Sequence, residues 1–200
     1  MIAESTAVLI RLLCGAQTRW VGAEPLFRRR VYFCNHTSNL DTVVLWAALP
    51  PALRRLTRPV AAADYWKRNA FRRYLADKVF HALLIERHKV TTQNNPVNAM
   101  LAALDEGASL ILFPEGTRHP GPEPRPFKSG LFHLARKRPD TEFFPVYLDN
   151  LNRVLPKGEL LPVPLLANVA IGAPLRLEPD EDKAAFLERA RLAVWALHQP

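Results

Sequence analysis

The stretch CNHTSNLDT at residues 34–42 places a histidine and an aspartate five positions apart among small polar residues. The apolar run VYF ends just before this stretch, and a second run, VVLWAAL, begins just after it. On one continuous helix His36 and Asp41 would lie about 140° apart, so they could not be partners there. If a strand-to-helix corner folds the carboxylate back onto the imidazole, Asp41 would hold one ring nitrogen and leave the other as a general base.

The same corner has a simpler structural interpretation as a helix start. Ser38, followed three residues later by Asp41 and then by an apolar run, is a capping-box pattern in which the carboxylate reaches back to the capping residue. Capping accounts for Ser38 and Asp41, but it leaves Asn35 and His36 unexplained. The spacing alone does not decide between the catalytic and the capping interpretation.

A second polar cluster follows the apolar run in LILFPEGTRHPG (110–121). Gly116 permits a tight turn with an unobstructed amide, and Thr117 and Arg118 supply donors suited to a phosphate. Open α/β sheets place ligands at the carboxyl ends of their strands, which is where this cluster would lie. A polar turn carrying surface charge is the structural alternative.

Three further residues adjoin apolar runs. Arg87 ends the run ALLIE (82–86), where a lone arginine is usually solvated, but beside the second cluster it becomes a candidate phosphate ligand. Pro145 interrupts the run FFPVYL, for which an edge strand or a bulge is the structural explanation. Cys34 adjoins His36 and invites interpretation as a nucleophile, although a buried strand cysteine is the simpler account.

The elements that must position these residues alternate along the chain. Strand-like runs lie near 31–35, 59–63, 82–86, 109–113, 143–148 and 168–172, and helix-like segments lie near 5–18, 40–49, 66–77, 96–106, 129–137 and 181–197. This alternation predicts an α/β fold, with a mostly parallel or mixed sheet flanked by helices in a single domain over residues 1–200. The four prolines of HPGPEPRP (119–126) predict an extended loop, and residues 155–167 predict another long connection.

Composition is that of a folded protein with a polyanionic partner. Of its 200 residues 48% are hydrophobic and 23% charged, which argues against disorder, and the net charge of +8 suits nucleic acid, an anionic membrane surface or phosphorylated molecules. Two cysteines cannot form a disulfide framework or a zinc site, so a reducing compartment is expected. The sequence has no Gly-rich nucleotide-binding motif, no GxSxG elbow and no HExxH spacing.

Two segments are candidates for a membrane surface. Residues 65–80, YWKRNAFRRYLADKVF, interleave aromatic and basic side chains, as in an interfacial helix on anionic lipid or in a core helix with a solvated basic face. Residues 2–15 carry Glu4 and Arg11 and are shorter than the roughly 20 residues that a spanning helix needs. This segment would either lie on a membrane surface or pack on the domain.

Taken together and in this order, the motifs resemble those of the glycerolipid acyltransferase family, typified by 1-acylglycerol-3-phosphate (lysophosphatidic acid) acyltransferases. The first motif of that family, NHxSxxD, is matched by residues 35–41, and the third, FPEGTR, by residues 113–118. The Phe-Lys-x-Gly often seen in relatives appears at 127–130, displaced by the proline-rich loop, and Pro145 corresponds to the proline of the fourth motif. The second motif departs from the pattern, because His81 stands where relatives usually carry a glycine, six residues before the arginine. The resemblance spans about residues 30–150.

This resemblance implies a glycerol-3-phosphate acyltransferase-like fold and transfer of a fatty acyl group from acyl-CoA or acyl-carrier protein to the free hydroxyl of a lysophospholipid. The favoured acceptor is 1-acylglycerol-3-phosphate, and the product is phosphatidic acid. His36 would remove the hydroxyl proton and Asp41 would orient His36, with no covalent acyl-enzyme and no metal or redox cofactor. The implied substrate-binding residues are Arg87, Glu115, Gly116, Thr117, Arg118 and Lys128. Of these, Glu115 is expected to position Arg118 or neighbouring amides rather than to contact phosphate.

A lipid substrate and a basic surface imply peripheral or monotopic attachment to the anionic cytoplasmic face of a membrane, helped by residues 2–20 or 65–80. No nucleic-acid partner is expected, because no nucleic-acid-binding motif accompanies the positive charge. Two alternatives stay open. The chain could acylate another lysolipid, such as a lyso-ornithine lipid, or it could be a non-catalytic lipid-binding relative.

Overall fold

The computed structural model of the chain describes residues 2–26, 28–86, 91, 94–119, 121–151 and 167–198. Within these ranges the strands are β1 (Gln17–Trp20), β2 (Arg30–Cys34), β3 (Thr57–Ala62), β4 (Leu83–Ile85), β5 (Ser109–Leu112), β6 (Glu142–Asp149) and β7 (Asn168–Ile171). They form one seven-stranded sheet in the order β1-β7-β6-β2-β5-β3-β4. All neighbours are parallel except β6 and β7, so the predicted α/β fold with a mostly parallel, mixed sheet is confirmed.

Helices and one π-helical turn cover both faces of the sheet. Within the described ranges the helices are α1 (Ile2–Leu13), α2 (Asp41–Ala48), α3 (Pro51–Leu56), α4 (Ala63–Trp66), α5 (Ala70–Tyr74), α6 (Pro96–Asp105), α7 (Gly130–Lys137) and α8 (Lys183–Trp195), and the π-helical turn is Leu75–Val79. The helices α1 and α2 pack on one face, and α6, α7 and α8 pack on the other. Strand β2 is buried along its whole length, which explains why its sequence is apolar on successive residues rather than on alternate ones.

The direction of the strands fixes where the polar corners meet. Strands β6, β2, β5, β3 and β4 run the same way, so their carboxyl ends lie at one edge of the sheet. Neighbouring strands β2 and β5 pair through Phe33 and Leu112, and each is followed at once by a polar corner. The corner that contains residues 35–41 therefore lies beside the corner that contains residues 113–118, at what we call the carboxyl edge.

Two helix predictions were wrong. The helix predicted over 5–18 ends at Leu13, because Gly15 turns the chain with a φ of 52°, and residues 17–20 become the edge strand β1. The helix predicted over 66–77 is broken at Asn69, whose extended backbone (φ −147°) and side chain cap α5. No residue of α5 is buried, so its basic residues do not belong to a core helix.

Pro145 lies in a central strand and not at an edge or a bulge, because β6 runs between β7 and β2. The proline faces Gly172, whose amide donates to the Pro145 carbonyl at 2.9 Å just beyond the end of β7. A Cβ on Gly172 would come within 3.0 Å of the Pro145 ring. The absent proline N–H thus falls where the ladder between β6 and β7 ends, and the glycine leaves room for the ring.

His81 has a backbone conformation that suits glycine better than histidine. His81 has a φ of 48°, in the left-handed region that costs an L-residue with a side chain roughly 1–2 kcal/mol. It lies just before the amino end of β4, where its carbonyl accepts from Arg58 Nε at 3.2 Å. The turn that leads into β4 therefore favours glycine at this position, and the histidine stands there at a cost in backbone strain.

Candidate active site

Asp41 folds back onto His36 across the strand-to-helix corner. Its Oδ2 lies 2.8 Å from His36 Nδ1 and accepts the backbone amides of Thr37 at 2.7 Å and Ser38 at 2.8 Å. The carboxylate is fully buried, and its only ion-pair partner in the described part of the chain is His36. The corner therefore closes around a single carboxylate oxygen.

The structure contains one of the two hydrogen bonds of the predicted capping box. Asp41 reaches back to the amide of Ser38, as a capping box requires. The Ser38 hydroxyl accepts instead from the amide of Leu40 at 3.2 Å, two residues on, and α2 begins at Asp41. One carboxylate thus starts the helix and holds the imidazole.

The ring of His36 is oriented so that one nitrogen stays available. Because Asp41 accepts from Nδ1, that nitrogen carries the proton of the neutral ring, and Nε2 carries the lone pair. Among the described residues none bonds to Nε2, and the side chain keeps 20% of its surface exposed. Phe113 stacks on the ring at a centroid distance of 4.3 Å. Position 113 belongs to FPEGTR, but sequence reasoning assigned its aromatic ring no role.

Glu115 joins the two polar corners. It is buried, and its Oε1 accepts the backbone amide of His36 at 2.8 Å while its Oε2 accepts the amide of Arg125 at 3.2 Å. Burial raises the pKa of Glu115, and the two amide bonds oppose that rise. The carboxylate contacts amides rather than the side chain of Arg118, which is one of the two placements expected from the sequence.

The backbone of His36 is also held from its other sides. Asn35 donates to the Leu148 carbonyl at 2.9 Å and accepts the Leu148 amide at 2.8 Å, so its side chain continues the pairing of β2 with β6. The amide of His119 donates to the carbonyl of His36 at 3.0 Å. Capping had left Asn35 unexplained, and its role here is to fix the corner to the neighbouring strand.

Four of the predicted substrate-binding residues surround the turn at Gly116. The amide of Gly116 donates to the Phe113 carbonyl at 3.0 Å, and its φ of 72° suits glycine. Lys128 lies over this turn, since a Cβ on Gly116 would come within 2.5 Å of Lys128 Nζ. The side chains of Thr117 and Arg118 are exposed beside it. The structure thus places two cations at the FPEGTR turn.

Two other residues singled out in the sequence stand apart from this group. Arg87 lies outside the described residues, so its position beside the FPEGTR turn stays a prediction. Cys34 is fully buried, and burial raises the pKa of its thiol well above 9.0, which disfavours the thiolate that a nucleophile needs. Within the described ranges no three His, Cys, Asp or Glu side chains converge as a metal site.

Comparison with known proteins places the motifs in a family. The family model described as Acyltransferase matches residues 19–149. A 1-acyl-sn-glycerol-3-phosphate acyltransferase of Limnanthes alba is 28% identical over 132 residues, which are 64% of this chain and 43% of that protein. The protein of the same name from Haemophilus influenzae is 27% identical over 114 residues, 54% of this chain and 42% of its own. The chain thus spans less than half the length of these two curated relatives.

A solved structure is similar over nearly the whole chain. The 1-acyl-sn-glycerophosphate (LPA) acyltransferase PlsC of Thermotoga maritima superposes with a TM-score of 0.73 and covers 98% of this chain and 78% of its own, at 19% identity. At that identity the similarity shows the fold.

The raised pKa of Glu115 can be tested through stability. A carboxyl whose folded pKa lies above its ordinary value of 4.5 stabilises the fold fully below that value, and the contribution is lost as pH rises through the folded pKa. Replacing Glu115 by Gln removes this titration. We expect the free energy of unfolding of the wild type, measured in urea, to fall relative to that of Glu115→Gln from about pH 4 upwards. A difference that is constant with pH would contradict the raised pKa.

Proposed function

Because the chain belongs to the acyltransferase family, we propose that it transfers a fatty acyl group from a thioester, acyl-CoA or acyl-carrier protein, to the free hydroxyl of a lysophospholipid. The observation that carries the proposal is the buried Asp41 carboxylate on His36 Nδ1, which leaves Nε2 available beside the FPEGTR turn. The favoured acceptor is 1-acylglycerol-3-phosphate, because Arg118 and Lys128 supply positive charge at that turn.

In the proposed reaction His36 acts as a general base. Its Nε2 removes the proton of the acceptor hydroxyl while the hydroxyl oxygen attacks the thioester carbonyl. The buried carboxylate of Asp41 stabilises the imidazolium that forms. When the tetrahedral intermediate collapses, the carbon–sulfur bond breaks and the imidazolium returns its proton to the leaving thiolate. The products are the ester and the free thiol, so atoms and charge balance without a cofactor.

Replacement of the base tests this mechanism directly. We expect His36→Ala to lower kcat with acyl-CoA and 1-acylglycerol-3-phosphate by about 10²- to 10⁴-fold, because the hydroxyl loses its proton acceptor. Asp41→Asn should lower kcat as well, since an amide stabilises the imidazolium less. The matched control is His133→Ala on α7, whose ring lies against Phe132 at a centroid distance of 5.7 Å and which should retain activity.

Two outcomes of that assay would contradict the proposal. Equal kcat in the wild type and in His36→Ala would exclude His36 as the base. Binding of the lysolipid without turnover in the wild type would favour the non-catalytic lipid-binding alternative. Competition among several lysolipids, including a lyso-ornithine lipid, decides which acceptor the site prefers.

The cations at the FPEGTR turn predict which kinetic constant depends on phosphate. Lys128→Met keeps the apolar stem over Gly116 but removes the charge, so we expect the KM for 1-acylglycerol-3-phosphate to rise about 10- to 100-fold. The KM for a lysolipid that lacks phosphate should not change. Lys137→Ala, at the end of α7, is the control for loss of one positive charge. Equal effects on both acceptors would show that Lys128 does not contact the phosphate.

Exposed apolar side chains on the helices α1 and α5 support attachment to a membrane surface. Helix α1 begins at the opposite edge, where Glu4 bonds to Arg54, and ends near the carboxyl edge, where β1 starts with Gln17 beside Asn168. On α1 the exposed apolar residues are Ile2, Val8, Leu9, Leu12 and Leu13, and on α5 they are Phe71 and Tyr74. None of the described helices is long and apolar enough to cross a membrane.

We therefore propose peripheral or monotopic attachment to an anionic, cytoplasmic membrane face through α1 and the basic helix α5. The double variant Leu12→Ser/Leu13→Ser should weaken sedimentation with phosphatidylglycerol-containing vesicles at least about tenfold, because two exposed leucines lose their apolar contact with lipid. Leu192→Ser removes a similarly exposed leucine from α8 and should have no effect. A wild-type protein that ignores these vesicles at low salt would contradict the attachment.

A further inference from the structure

The proline-rich segment at residues 121–126 is held in place by side chains from distant parts of the chain. Proline has no N–H, so Pro122, Pro124 and Pro126 cannot donate backbone hydrogen bonds. The hydroxyl of Tyr147 in β6 donates to the Pro122 carbonyl at 3.0 Å. Nearer in the chain, His119 Nε2 lies 2.7 Å from the Glu123 carbonyl oxygen. A further contact from a distant part of the chain comes from Arg191 of α8.

Arg191 reaches the segment with one end of its guanidinium. Its Nη1 lies 2.8 Å from Glu123 Oε1 and donates to the Pro124 carbonyl at 3.2 Å. Its Nε and Nη2 bond to the two oxygens of Glu188, at 2.9 and 2.7 Å, so the fork is fixed before it meets the segment. The pKa of Arg191 is raised by both carboxylates, so the side chain stays charged.

The carbonyl that Arg191 holds belongs to a peptide group that also contacts the site. The C=O of Pro124 and the N–H of Arg125 are parts of one planar trans peptide, and the described chain has no cis peptide. In a trans peptide these two groups point in opposite directions, so fixing the carbonyl fixes the direction of the N–H. That N–H donates to Glu115 Oε2 at 3.2 Å, and Glu115 Oε1 accepts the amide of His36 at 2.8 Å.

We propose that Arg191 is a positioning residue for His36. It fixes the peptide between Pro124 and Arg125, this peptide fixes Glu115, and Glu115 fixes the backbone of His36. Arg191 lies outside the residues that match the family model, and its contact with the segment joins positions 67 and 68 apart in the chain. The kinetic part of the proposal rests on the proposed acyl transfer, whereas the structural part does not.

Arg189 provides a matched control on the same helix. It also makes ion pairs, with Glu181 and Glu178, and donates to the carbonyl of Arg176. All these partners belong to the C-terminal part of the chain rather than to the proline-rich segment. Loss of Arg189 therefore reports what an arginine of α8 contributes to stability alone.

We expect Arg191→Ala to lower kcat about 10- to 100-fold with little change in the KM of the acceptor, because a small displacement of His36 affects the reaction more than binding. Arg189→Ala should shift Tm by a similar amount and leave kcat unchanged. Arg191→Lys should restore only part of the activity, since a lysine cannot bond to Glu188 and Pro124 with a planar fork. Equal kcat in Arg191→Ala and Arg189→Ala would overturn the proposal.

Coupling with Glu115 separates positioning from a general loss of structure. If Arg191 acts through Glu115, then Arg191→Ala should cost little further kcat in a protein that already carries Glu115→Gln. Additive losses in the double variant would show that Arg191 acts by another route and would overturn the proposal.

A measurement without substrate makes failure of the proposal distinguishable from failure of the proposed function. Hydrogen exchange followed by NMR should show the amide of His36 exchanging about tenfold or more faster in Arg191→Ala than in Arg189→Ala. Faster exchange in Arg191→Ala, together with no acyl transfer by the wild type, would contradict the proposed function but support the positioning role of Arg191. Unchanged exchange in Arg191→Ala, with faster exchange in Glu115→Gln, would overturn the positioning role whatever the activity.

Discussion

The geometry of the site depends on one buried oxygen, Oδ2 of Asp41. Three donors converge on it, the imidazole of His36 and the amides of Thr37 and Ser38, and the carboxylate has no exposed surface. Leaving a buried donor without an acceptor costs about 1–3 kcal/mol. Moving the Asp41 carboxylate away from the corner would leave three donors without their acceptor. Helix start and imidazole orientation are therefore consequences of the same interaction, and neither can change while the other is kept.

The sheet extends this local constraint across the molecule. Strands β2 and β5 are neighbours in space but are separated in the chain by the helices between residues 41 and 105, and only their pairing brings Glu115 to the amide of His36. The Asn35 side chain adds a link to β6 on the other side. With the His119 amide on its carbonyl, His36 is held at its N–H, its C=O and its Nδ1. The polar atom left to react is Nε2.

Features that depend on short stretches could be predicted from the sequence, whereas features that depend on distant partners could not. Apolar runs followed by polar corners predicted six of the strands and the α/β class. The spacing left the contact between His36 and Asp41 open, and only the resemblance to the family implied it. Strand β1 has four residues with little apolar pattern and exists because it pairs with β7, about 150 residues away. Pro145 can lie in a central strand because its neighbour on β7's side is Gly172, which is distant in the sequence. The contact between Arg191 and Glu123 could not be predicted, because the sequence around neither residue indicates a partner.

A carboxylate at position 115 is required by the number and direction of its donors. Two amides, those of His36 and Arg125, approach different oxygens of Glu115, so both oxygens must accept. A glutamine has one acceptor oxygen, and its NH2 group would face an N–H group. Burial opposes the charge that makes both oxygens acceptors, and it raises the pKa of Glu115. Any contact that keeps the Arg125 amide aimed at Glu115 therefore favours the ionised form, which links the packing of the C-terminal helix to the state of the site.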